Sequence, residues 1–118
     1  TEIYTLSLHD ALPILKKIID GFRYDTEKAE LVGSYESGHP RSDFQWWAAA
    51  LYRTKVAKRF FLAGEGGPMT QFSSRSGDSW GYGEKLIPMS AEEALAWAEQ
   101  YLDPEDFEGV FEDLIQDA

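Results

Sequence analysis

The sequence predicts an α+β fold: a small antiparallel β-sheet with a short N-terminal helix and two C-terminal amphipathic acidic helices. Three observations carry this expectation. Asp20-Gly21 sits between two short β-prone runs in residues 16–24, and such a dipeptide favours the tight primed turn that closes a hairpin. Two apolar, aromatic-rich runs, residues 44–52 and 59–64, flank the basic stretch RTKVAK and read as paired strands. Ser90-Ala-Glu-Glu93 is a capping-box sequence, followed by Ala94, Trp97, Ala98 and Tyr101 at helical spacing.

In chain order, the hairpin of residues 16–24 is followed by Asp25 or Thr26 as the cap of a short helix over 26–32, with Gly33 as its stop. Residues 34–43, SYESGHPRSD, are turn-rich and read as a loop. The alanines of FQWWAAALY favour helix and its aromatics favour strand; the hairpin-like 53–58 and the apolar 59–64 tip the balance to strand. Residues 64–85 form a long connection rich in glycine and serine, and 86–89 a short edge strand, the one place where Pro88 is tolerated. Asp103-Pro104 supplies an N-cap with proline at the first helical position, and Phe107, Val110, Phe111 and Leu114 line one side of the second helix.

The first fourteen residues, TEIYTLSLHDALPI, match an in-frame translation of the universal adapter used in short-read DNA sequencing, and the gene reads as one taken from metagenomic assembly. They are expected to be an artefactual leader without native function, leaving residues 15–118 as a single globular domain. Hydrophobic content is 43% and aromatics are plentiful, so the composition is a folding one. Cysteine is absent, which excludes disulfide frameworks and thiolate metal sites. No apolar run reaches the roughly 18–20 residues of a membrane span. The expectation is a cytoplasmic protein, without cofactor or membrane association, and most simply a monomer.

The net charge of −10 is unevenly placed. Residues 90–118 contain ten acids and no lysine or arginine, whereas residues 15–89 contain nine acids and eleven bases. The acidity is a property of the C-terminal quarter.

No known catalytic set is present, and the chain is expected not to be an enzyme. His39 stands in a Gly-His-Pro loop without a metal-binding or catalytic partner. Gly64-Glu-Gly-Gly-Pro68 lacks the lysine and hydroxyl of a phosphate loop. The neighbouring acids Glu92-Glu93, Glu105-Asp106 and Glu112-Asp113 diverge by about 100° on a helix, a poor geometry for holding a metal. Aromatics and bases interleave from Phe44 to Arg59, the pattern of a single-strand platform. The simpler expectation is that alternate aromatics face the core, and a −10 molecule is not expected to bind nucleic acid directly.

A one-sign helical surface suits a basic groove of the kind that holds nucleic acid. On a single helical path of 29 residues, at about 1.5 Å each, ten charges give roughly one per 4 Å, against one per about 1.7 Å for duplex DNA. Mimicry of DNA therefore requires the path to fold back on itself, which brings the spacing to about 2 Å, with the carboxylates outward.

The longer pattern resembles a known family. KKIIDGFRYDTEKAELVGSY, SDFQWWAAALYRTKVAKRFFLAGEGGPM and GEKLIPMSAEEALAWAE are similar to small acidic proteins of gut bacteria and their phages and mobile elements, some described as anti-CRISPR inhibitors of type II-A Cas9. The most specific pieces are Tyr24-Asp25-Thr26, Leu51-Tyr52-Arg53-Thr54-Lys55, the run from Phe61 to Gly67, and Ile87-Pro88 before the helix. The resemblance implies stoichiometric binding to a Cas effector. The residues expected to carry it are Glu92, Glu93, Glu99, Glu105, Asp106, Glu108, Glu112 and Asp113, with Glu65 and Trp80 of the long connection contributing shape. The alternative is a small non-enzymatic regulatory protein of a mobile element that binds another basic partner.

Overall fold

The computed structural model describes residues 14–77 and 79–118; the leader reading, Ile14 apart, lies outside the described residues. The elements are β1 (Lys16–Ile19), β2 (Phe22–Asp25), β3 (Glu30–Glu36), β4 (Trp47–Arg53), β5 (Phe60–Gly66), β6 (Ser74–Ser76), β7 (Ser79–Gly81), β8 (Gly83–Met89), α1 (Ala91–Tyr101) and α2 (Pro104–Phe107). The fold is α+β. Its centre is a four-stranded antiparallel sheet in the order β3-β4-β5-β8, accompanied by the two-stranded hairpins β1-β2 and β6-β7.

The central pair explains the architecture. β4 and β5 match residue for residue from Trp47↔Gly66 to Arg53↔Phe60, and their side chains alternate between two buried faces. Ala49, Leu51, Phe60 and Leu62 join Val32, Phe72, Ala94, Trp97, Ala98, Leu102, Phe107 and Phe111 on one face. Ala48, Ala50, Tyr52, Phe61 and Ala63 join Tyr24, Trp46 and Leu86 on the other. Strands buried on both faces read as continuous apolar runs rather than alternating ones, which is why residues 44–52 look helix-like in sequence. The first face is covered by α1 and the chain that follows it, the second by the β1-β2 hairpin, whose Leu15 and Ile19 pack there.

The Asp20-Gly21 turn forms as expected, with φ of 52° and 81° at the two residues. The short N-terminal helix does not form. Asp25 uses its carboxylate to accept the Glu27 amide at 2.9 Å, and its carbonyl accepts the amides of Lys28 and Ala29. One turn results, and the chain then enters β3, where Glu30 meets Arg53 across the sheet at 2.9 Å. Gly33, expected as a helix stop, instead lets the helical layer approach: a Cβ there would lie 2.7 Å from Leu102 Cδ1. Cross-strand pairing outweighs the weak local helix preference of 26–32.

Other boundaries shift as well. The first three residues of the expected loop 34–43 complete β3, and the connection 64–85 contains the β6-β7 hairpin and the start of β8. β8 is an edge strand that carries Pro88, as expected. Ser90 and Glu93 form the reciprocal capping box of α1. The second C-terminal helix is only one turn long: Asp103 makes no side-chain cap bond, and after Phe107 the chain continues as successive turns through Leu114.

Two substitutions and one control test this framework. Gly64→Ala places a Cβ 2.6 Å from the Phe72 ring and 2.8 Å from the backbone oxygen of Ala48, and is expected to cost about 1–3 kcal/mol in denaturant unfolding. Gly38→Ala, where nothing lies within 4 Å, is the near-neutral control. Ser90→Ala removes the hydroxyl cap and is expected to cost about 1 kcal/mol, measured the same way.

Candidate functional site

The acidic layer is built by burial of its opposite side. On α1, Ala94, Trp97 and Ala98 point to the sheet, leaving Glu92, Glu93 and Glu99 exposed. Tyr101, at the end of α1, packs edge-on against Trp47, ring centroids 5.1 Å apart, where β4 begins. Leu102 then sits over Gly33 in the middle of β3, and Phe111 stacks on Phe60 at 4.8 Å, beside the far end of β4. The chain after α1 therefore returns across the sheet. Phe107 and Phe111 anchor this return arm, and Glu105, Asp106, Glu108, Glu112 and Asp113 stand exposed along it.

The fold-back that a DNA-like charge density requires is thus present in the chain path, although its second arm is one helical turn plus irregular turns. None of these carboxylates forms an ion pair among the described residues, whose salt bridges all lie elsewhere. Glu93 is partly committed, since its carboxylate accepts the Ser90 amide at 2.8 Å.

Two expected site residues fall outside this layer. Trp80 is exposed on β7, with the Arg75 guanidinium 5.6 Å from its ring. Glu65 is not a loop residue. It lies within β5, only 3% exposed, and Arg41 donates to its Oε1 at 3.2 Å. It is therefore unavailable to a partner. Its cross-strand neighbours are Ala48 and Glu84, and Ala48 is flanked in turn by Glu36. Arg41 also lies 4.6 Å over the Trp46 ring, and the Trp46 indole donates to Glu36 at 3.0 Å. This polar knot pins the loop between β3 and β4 to the sheet. A charge inside an otherwise apolar strand sequence is the signal that could have located it.

The remaining candidates are simply placed. His39 is exposed and helps line a cleft of about 340 Å³ with Gln45, Trp47, Thr70 and Tyr101. Trp46 and Tyr52 are buried, so these two aromatics serve the core rather than a stacking surface. Among the described residues no cluster of three or more acidic or histidine groups is placed to hold a metal ion, and no helix is long and apolar enough to cross a membrane.

Burial pushes the Glu65 carboxyl above its ordinary value of 4.5, Arg41 opposes this, and Glu84 and Glu36 add to it. A raised carboxyl pKa makes the native state the better proton acceptor, so this group's contribution to stability is full below pH 4.5 and is lost as pH rises through the elevated value. Compared with Glu65→Gln, the natural chain is expected to gain stability as pH falls from neutral toward 4.5, with no further gain below it. Denaturant unfolding of both proteins across that range is the measurement. Compared with family models, with curated proteins and with solved structures, the chain matches none.

Proposed function

We propose that the chain is a stoichiometric, non-enzymatic inhibitor that presents the acidic layer formed by α1 and the return arm to a basic nucleic-acid-binding groove of a Cas effector, type II-A Cas9 being favoured. The observation that carries this reading is the fold-back. It concentrates exposed carboxylates on one side of the sheet, with no basic residue anywhere in residues 90–118. The resemblance of residues 16–102 to a family of small acidic proteins, some of them described as anti-CRISPR proteins, supports the choice of partner. Effectors of this class hold guide and target in positively charged channels, and a protein seated there excludes DNA without chemistry.

The anchoring aromatics and the carboxylates alternate along the return arm, so the charges can be changed without disturbing the packing. Glu99, Glu108, Glu112 and Asp113 are exposed and lie outside the first turns of the helices. Replacing all four by lysine is expected to abolish inhibition of DNA cleavage by purified type II-A Cas9 at near-stoichiometric ratio. Replacing Asp20 and Glu27, on the hairpin side, is expected to leave inhibition intact. Equal inhibition by the four-lysine variant would overturn the electrostatic mechanism. Failure of the natural chain to inhibit any of a panel of CRISPR effectors would favour the regulatory-protein alternative.

A further inference from the structure

On the side of the sheet away from the acidic layer, a groove of about 540 Å³ opens between the Asp20-Gly21 turn and the loop joining β4 to β5. Both walls are fixed. The loop is closed by the Thr54 amide donating to the Arg59 carbonyl at 2.8 Å and by the Arg59 amide donating to Thr54 Oγ1 at 2.9 Å. The opposite wall is held by the Asp25 turn, which positions Lys28 and Ala29.

Four cations line the groove: Arg23, Lys28, Lys55 and Arg59. None forms an ion pair among the described residues. Two of the acids nearby already have partners. Asp25 accepts the Glu27 amide, and Glu30, whose carboxyl the Arg53 hydrogen bond holds below its ordinary value, also faces Lys58 at 3.8 Å. Apart from Asp25 and Thr54, the rest of the lining is apolar. Val56 at the loop tip is 96% exposed, and the Arg59 guanidinium carbon lies over the Phe22 ring, 3.6 Å from its centroid. Arg59 is exposed, and a guanidinium is a planar cation of the kind on which nucleobases stack.

We propose that this groove binds single-stranded nucleic acid, with a base stacked on Arg59 against Val56 and backbone phosphates held by Lys28 and Lys55. The inference is independent of the inhibitor reading. The net charge of −10 does not forbid it. Charges are screened over about 8–10 Å at physiological ionic strength, and the acidic layer packs on the opposite face of the sheet from the hairpin. An acidic peptide would satisfy the cations but would leave the planar Arg59 surface and the exposed Val56 without a flat partner.

The test is fluorescence anisotropy of a labelled oligothymidylate of about twelve nucleotides with the full chain, titrated at several salt concentrations. Binding is expected to weaken with salt, by about 0.7 in log-log slope for each phosphate contacted. Lys28→Ala with Lys55→Ala is expected to reduce that slope by about 1.4. Arg59→Lys, which keeps the charge and loses the plane, is expected to weaken binding about tenfold, with circular dichroism unchanged. Three results would each overturn the proposal: no binding at low salt, binding insensitive to these variants, or displacement by a poly-glutamate peptide as effective as displacement by unlabelled strand.

Discussion

Everything in this fold follows from the β4-β5 pair, two strands whose residues are buried on both faces. An antiparallel sheet commonly leaves one face to water. Here neither face can be left, because Leu51 and Leu62 point one way and Tyr52 and Phe61 the other. The chain must therefore supply two covers, and it draws them from its two ends: the β1-β2 hairpin on one side, α1 and the return arm on the other. Small residues set how closely the covers sit. Gly33 admits Leu102 and Gly64 admits Phe72, so side chains from the covering layer and the long connection reach the sheet backbone itself.

This division into covers also divides the charge. The C-terminal cover needs apolar residues only at the positions that face the sheet, and every other polar position there is free to be acidic. The hairpin cover and the adjoining loop carry most of the bases. A single net charge describes neither surface: one side is strongly anionic, the other presents cations that form no ion pair among the described residues, around a partly apolar groove. Glu65, a charged residue buried within the central sheet, is paired with Arg41, which is itself braced on Trp46.

How much of this could be read in the sequence depended on whether the signal was local. The Asp20-Gly21 turn and the Ser90-Glu93 capping box are complete within a few residues, and both formed where their chemistry places them. The β4-β5 pairing was recoverable because turn chemistry between two apolar runs outweighed the helix preference of three alanines. Residues 26–32 were misread because their fate is decided by Arg53 and Leu102, 23 or more positions away in sequence. The same applies to Glu65: its neighbours Gly64, Gly66 and Gly67 look like a glycine-rich turn in isolation, and although a charge after an apolar run marks the position, pairing with β4 and β8 is what buries it. The exposed acids were legible, since amphipathic spacing separates Phe107 and Phe111 from the carboxylates between them. Their fold-back was a requirement of the charge arithmetic, and the path through Tyr101, Leu102 and Phe111 meets it without a second full helix.

The length of that second arm has a physical cause. Pro104 starts a helix well, because its missing N–H would be unpaired in any case, but Asp103 makes no side-chain cap bond and Gly109 follows within two residues of Phe107. The acids gathered there repel one another, and no base lies in the arm to relieve them. Phe107 and Phe111 supply the compensating attraction, the first buried against the sheet layer and the second stacked on Phe60. Burial of aromatics of this size is worth about 1.5–3 kcal/mol each, comparable with the cost of crowding several exposed carboxylates in water, where each close pair costs about 1 kcal/mol or less. The arm is therefore held by its two rings rather than by helical propensity, and its carboxylates are left facing water.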